Sequence, residues 1–135
     1  MPVQAIIGGM KQSSSNSTVY VNGTISDGAL AVVPVFDHGF LYGEGVYETL
    51  RTYRQLPFLL DRHLARLRTS ASLLNLDIPQ DAAELTAAIA VTMRHAALEG
   101  EQYIRLLVTR GVGELSYDPA TCQTPTVVII VKAHL

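Results

Sequence analysis

Two helical stripes in the middle of this chain, with strand-period segments on either side, constrain its fold more than any other feature. From Arg62 to about Leu74, the residues Leu64, Leu67, Ala71 and Leu74 fall on one face of a 3.6-residue repeat, with Asp61 expected as the N-cap. Asn75 to Pro79 interrupts the pattern. Asp81 then opens a second stripe of Leu85, Ala88, Ile89, Thr92, Met93 and Ala96, with Gly100 expected as its stop. Strands, two helices, then strands predict an α+β fold with both helices packed on a largely antiparallel sheet.

The strand signals can be placed one by one. Val19-Tyr20-Val21 and Thr24-Ile25 flank Asn22-Gly23, a dipeptide suited to the positive φ angles of a tight hairpin. Asp27-Gly28 marks a second turn, and Ala29 to Val33 reads as a short strand ended by Pro34. Val46, Glu48 and Leu50 point one way and Tyr47, Thr49 and Arg51 the other. Arg54-Gln55 turns the chain, and Leu56 to Leu60 returns as a partner strand, in which Pro57 marks either an edge position or the first residues of the strand. Tyr103, Arg105, Leu107 and Thr109 alternate with Ile104, Leu106, Val108 and Arg110. Gly111 to Pro125 is a long loop, and loops of that length often serve function. Val127 to Val131 is a continuous apolar run, which reads as a strand buried on both faces. Met1 to Ser17, with Gly8-Gly9 and Ser13-Ser14-Ser15, reads as a flexible tail in which Val3 to Ile7 has the composition of a short edge strand.

The 135 residues suit one domain with a real core, and 48% apolar against 16% charged residues excludes a disordered chain. A net charge of −2 without a basic block gives no footprint for nucleic acid. No apolar run reaches membrane-spanning length, and the N-terminus lacks a secretory pattern, so a cytoplasmic protein is expected. The single cysteine, Cys122, has no base near it in sequence and reads as a passive thiol.

Three places carry possible chemistry. Asp37 to Gly45 is a glycine loop holding Phe40 and Tyr42, and it runs into the strand carrying Tyr47, Glu48 and Arg51. Such a loop is either the rim of a site or a tight turn before an ordinary strand. Arg66 lies one position off the Leu64/Leu67 stripe, with Arg62 and His63 a turn earlier. It is either the holder of a fixed anion or a surface arginine whose stem packs on the core. Tyr103 and Arg105 share a strand face, where they either meet one carboxylate together or stand in water. The histidines at 38, 63, 95 and 134 show no metal-ligand spacing, and no P-loop, strand-linked GxGxxG or GxSxG elbow is present.

Taken in order, the Val21-Asn22-Gly23 hairpin, the His38-to-Arg51 segment, Asp61-Arg62-His63-Leu64-Ala65-Arg66-Leu67 and Tyr103-Ile104-Arg105 leading to Thr109-Arg110-Gly111 resemble the small N-terminal domain of the class IV aminotransferases. These are the fold type IV pyridoxal-phosphate enzymes. The resemblance covers about Val19 to Leu135 and is nearest to the branched-chain-type enzymes. It implies a tail over 1–17, the domain over 18–132 and the start of an interdomain linker at 133–135. By the same resemblance Arg66 binds the 5′-phosphate of pyridoxal 5′-phosphate. Tyr47 lines the substrate pocket, Tyr42 reaches a neighbouring subunit's pocket in a homodimer, and Tyr103 and Arg105 bind the substrate carboxylate. Glu48 and Arg51 fall on motif positions near the pocket. The implied reaction moves an amino group between an amino acid and a 2-oxo acid. The family's Schiff-base lysine has no match here: Lys11 lies in the tail and Lys132 at the end of the last strand. The expectation is therefore an enzyme domain without its catalytic lysine, inactive alone. Aminodeoxychorismate lyase is an alternative within the family. D-amino acid aminotransferase is another, disfavoured because no Arg-x-His follows Gly111. A non-catalytic binding domain is the alternative from outside it.

Overall fold

The computed structural model describes residues 16–135. Its strands are β1 (Ser17–Val21), β2 (Thr24–Asp27), β3 (Gly45–Tyr53), β4 (Leu56–Pro57), β5 (Gln102–Thr109) and β6 (Thr126–Ala133). They form one antiparallel sheet in the order β2-β1-β6-β5-β3-β4. A short helix α1 (His38–Tyr42) precedes β3, while α2 (Leu60–Leu73) and α3 (Ala82–Ala96) link β4 to β5. This is the predicted α+β arrangement.

The core lies between the two long helices and one sheet face. Leu64, Leu67 and Ala71 of α2 and Leu85 and Ile89 of α3 pack on Leu50, Ile104, Leu106, Val108, Val127, Ile129 and Val131. Burial of each large side chain there contributes about 1.5–3 kcal/mol. The period-2 reading of β3 and β5 holds: Glu48, Leu50 and Thr52 are buried, as are Gln102, Ile104, Leu106 and Val108, with their neighbours facing outward. The Asn22-Gly23 turn has φ of 47° and 95°, as its hairpin requires, and Arg54-Gln55 turns at 51° and 61°.

Several boundaries differ from expectation. Helix α2 starts at Leu60 behind Leu59, which takes a left-handed φ of 54° without a side-chain cap, so Asp61 sits in the first turn rather than at the N-cap. The chain must reverse within Phe58-Leu59, which also cuts the expected Leu56–Leu60 strand to two paired residues. Helix α3 has the expected cap: Asp81 and Glu84 form a reciprocal capping box. It ends at Ala96 with Ala97 as its C-cap, before Gly100. Leu74 is the C-cap of α2 and is 39% exposed, outside the buried stripe.

Ala29 to Val33 forms no strand. Ala31 to Val33 lie instead against the sheet face opposite the helices, bordering a groove of about 670 Å³ with Val19, Val21, Val128 and Ile130. This partial cover explains why β6 is fully buried only at Val127, Ile129 and Val131 among its apolar run, Val128 and Ile130 being half-buried. Ser17, expected to end a tail, opens β1; the rest of the tail and the Val3–Ile7 strand lie outside the described residues, apart from residue 16.

Candidate active site

The glycine-rich segment is a one-turn helix rather than a loop. The Asp37 carboxylate accepts the Gly39 N–H at 2.8 Å, capping α1, and its backbone carbonyl takes Phe40 and Leu41. His38 is fully buried and donates from Nε2 to the Glu114 carbonyl at 2.7 Å. Tyr42 packs edge-on against His38, with ring centroids 4.8 Å apart, and against Tyr117 at 5.1 Å. Arg110 ties this unit to the rest of the domain. It meets Glu44 through Nε and donates from Nη2 to the Leu74 carbonyl, at the end of α2, at 2.7 Å.

Most of β3 is open on one edge among the described residues. Its partner β4 pairs only with Thr52 and Tyr53, whereas Gly45 to Arg51 pair only with β5 among the described residues. Candidate residues lie on both faces of β3 and its partner β5. On the helix side, Arg66 holds the Glu48 carboxylate with two bonds, Nε to Oε2 at 2.9 Å and Nη2 to Oε1 at 2.7 Å. His63 places Nδ1 2.7 Å from the same Oε1. The Glu48 side chain is only 6% exposed and that of Arg66 67%. Hydrogen bonding from Arg66, then from His63, outweighs burial and lowers the Glu48 pKa, while Glu48 raises that of Arg66.

On the other face, the Arg105 guanidinium lies over the Tyr47 ring at 5.0 Å, and its Nε–H donates to the Tyr103 hydroxyl at 3.1 Å. Register sets Tyr103 between Arg51 of β3 and Lys132 of β6, and the Lys132 ammonium stands 5.9 Å from the Tyr103 ring. Arg51 itself leans over Tyr53 at 4.1 Å and faces Glu101 at 3.9 Å.

Tyr47, Tyr103 and Arg105 thus converge. Arg66 is on the opposite face, joined to them through Glu48, the residue next to Tyr47. Tyr42 stands apart, with His38 and Tyr117. Sequence reasoning gave Lys132, His63 and Arg110 no site role. The three-residue step from His63 to Arg66, which puts both on one helix face, was the available signal. The Cys122 thiol donates to the Gly111 carbonyl at 3.4 Å, and burial pushes its pKa up, as suits a passive thiol.

This helix-backed antiparallel sheet is found in known proteins. Residues 45–135 match the amino-transferase class IV family, and the chain belongs to that family. It is 46% identical over 112 residues to a protein of Methanocaldococcus jannaschii provisionally assigned as a branched-chain-amino-acid aminotransferase, an overlap covering 83% of this chain and 38% of that one. The branched-chain aminotransferase of Thermoproteus uzoniensis, solved with norvaline, superposes with a TM-score of 0.75 at 32% identity, over 84% of this chain and 39% of that one. The T.th. branched-chain amino acid aminotransferase, complexed with N-(5′-phosphopyridoxyl)-L-glutamate, gives 0.75 at 28% identity, over 85% and 40%. The chain therefore spans about two fifths of the length of the relatives it matches. Among the described residues no helix is long and apolar enough to cross a membrane.

Proposed function

We propose that this chain builds one wall of the active site of a pyridoxal-phosphate-dependent aminotransferase that acts as a homodimer on a branched-chain amino acid and a 2-oxo acid. The observation that carries the reading is the placement of Tyr47, Arg105 and Tyr103 on one face of the paired strands β3 and β5, with Arg66 held by Glu48 on the other face of β3. The matched enzymes, named for branched-chain substrates and solved in one case with a phosphopyridoxyl ligand, support it.

The residues fit the cofactor's phosphate. Glu48 engages the Nε/Nη2 side of the Arg66 fork, which leaves Nη1 and the outer Nη2 hydrogen as a second pair of donors on an exposed guanidinium. When bound, the cofactor supplies the electron sink for the bond broken at the substrate Cα. The work of this chain is binding and orientation. Arg66 holds the phosphate. Arg105 donates to the substrate carboxylate. The Tyr103 hydroxyl accepts from Arg105 Nε, which aims its own proton at the same carboxylate. Tyr47 offers a flat apolar wall, 60% exposed, that shields the reacting face from water.

A full-length enzyme in which this chain forms the small domain should release pyridoxal phosphate on alkaline denaturation and transfer the amino group of leucine to 2-oxoglutarate. Arg66→Ala should lose cofactor content. Arg105→Ala should keep it and raise KM for the amino acid by about tenfold or more, the scale of a lost charge-assisted bond. Cofactor-free protein, or an unchanged KM in Arg105→Ala, would contradict the proposal.

A further inference from the structure

We infer that Glu48 is a positioning residue for phosphate binding: it fixes the Arg66 guanidinium in the pose that takes the anion, and His63 holds Glu48 in turn. The inference rests on the reading of Arg66 as phosphate anchor and adds the group that makes it one. Arg66 is a long side chain, mostly in water, on the outer flank of α2. Left alone, it would sample many rotamers and lose entropy on binding. Glu48 removes that freedom from a rigid base. It lies on β3, paired across to Leu106, and its carboxylate is buried.

Three bonds converge on the carboxylate. Oε2 takes Arg66 Nε, and Oε1 takes both Arg66 Nη2 and His63 Nδ1, with those two nitrogens 3.5 Å apart. A side-on pair of this kind fixes both the position and the plane of the guanidinium. The remaining fork, Nη1 with the outer Nη2 hydrogen, then points away from Glu48 in one direction.

The location is unfavourable for a carboxylate with no task. Val46 and Leu50 flank Glu48 on the same strand face and belong to or pack on the core. An apolar residue would serve packing better there, since a buried carboxylate needs its charge matched. Hydrogen bonding from Arg66 and His63 keeps Glu48 ionised.

The alternative is a simple ion pair, in which Glu48 merely neutralises Arg66. The two roles predict opposite effects. A counter-ion competes with phosphate, so its removal tightens anion binding. A positioning residue pre-organises the donor, so its removal weakens binding.

The probe is pyridoxamine 5′-phosphate, which lacks the aldehyde that would react with Lys11 or Lys132. It is titrated into this chain and followed by the ¹⁵N resonance of the Arg66 Nε–H, with phosphate-free pyridoxamine as control. Wild type should respond to the phosphorylated compound alone. Glu48→Gln, nearly isosteric, should keep the backbone spectrum, shift the Arg66 resonance to the averaged position of a free arginine, and bind about five- to tenfold more weakly. Equal or tighter binding in Glu48→Gln overturns the inference and leaves Glu48 a counter-ion. If Glu48→Gln does not fold, His63→Gln decides: affinity reduced about two- to threefold supports the inference, and unchanged affinity overturns it. Wild type that fails to bind the phosphorylated probe sinks the anchor role of Arg66 itself, and this inference with it.

Discussion

Two glycines with nearly the same positive φ allow the strain of a left-handed residue to be separated from the cost of a steric clash. Gly23 has φ +95° and Gly111 has φ +93°. A Cβ added at Gly23 meets nothing within 4 Å, whereas at Gly111 it would stand 1.8 Å from the Thr124 carbonyl oxygen and 2.8 Å from its carbon. Alanine at Gly23 therefore costs only conformational strain, about 1–2 kcal/mol. Alanine at Gly111 costs the same strain plus a forced shift of two backbone segments, about 1–3 kcal/mol more on the scale of overpacked sites. Gly111 also accepts the His38 N–H at 2.9 Å and the Cys122 thiol, so the shift reaches α1 and with it Tyr42. Urea unfolding followed by circular dichroism reads the difference. With m of about 1–3 kcal/mol/M, the Gly23→Ala midpoint should fall by about 0.5–1 M and that of Gly111→Ala by about twice as much or more. Equal midpoints for the two variants would refute the clash argument and show that the 111–125 loop yields freely.

Acid should destabilise the fold through Glu48. Its folded pKa is depressed by Arg66 and His63, so its contribution is complete above the ordinary carboxylate pKa and is lost as pH falls from about 5 through the folded value. Glu48→Gln should flatten the stability profile in that range, and unchanged acid sensitivity would argue against it. The resemblance implies that neither Lys11 nor Lys132 is the family's Schiff-base lysine, so the 135-residue chain by itself should show no transamination of leucine with 2-oxoglutarate; pyridoxal-phosphate-dependent turnover by the purified chain would disprove this. Self-association is expected through the surface around Tyr42, where Phe40 is 73% and Tyr117 86% exposed. Light scattering should report a dimer that Phe40→Ser weakens, and a monomer at high concentration would count against it.

The fold was legible where a short-range period decides it. Alternation over β3 and β5 and the stripes of α2 and α3 are each set by one buried face, so apolar spacing alone reveals them. The misplaced ends have a common physical origin. Leu59 and Ala97 take left-handed φ of 54° and 51°, conformations no local signal in those residues calls for. They are imposed by the need to dock a helix on a sheet directly after a two-residue strand, or before β5. Helix α1 escaped notice for another reason. Its five residues are too few for a helical period, and its only marker is Asp37 capping Gly39 amid glycines that also suit a loop.

The site shows where the limit of local reading falls. That Tyr103 and Arg105 share a face follows from the two-residue period. That Lys132 stands beside Tyr103 needs the register between β5 and β6, which joins residues far apart in the chain and leaves no local trace. The pair of Glu48 and Arg66 is intermediate. Neither residue reveals the other, yet both break a pattern. Glu48 is a carboxylate on the apolar side of β3, between Val46 and Leu50, and Arg66 is a cation at the border of the α2 stripe. A buried carboxylate requires a donor of opposite charge. Helix α2 packs directly on β3, and among its arginines only Arg66 is seen to donate to that carboxylate. A charge that interrupts the apolar side of one element is therefore evidence for the charge at the edge of the element packed on it, and the two breaks in pattern locate the junction around which the candidate site is built.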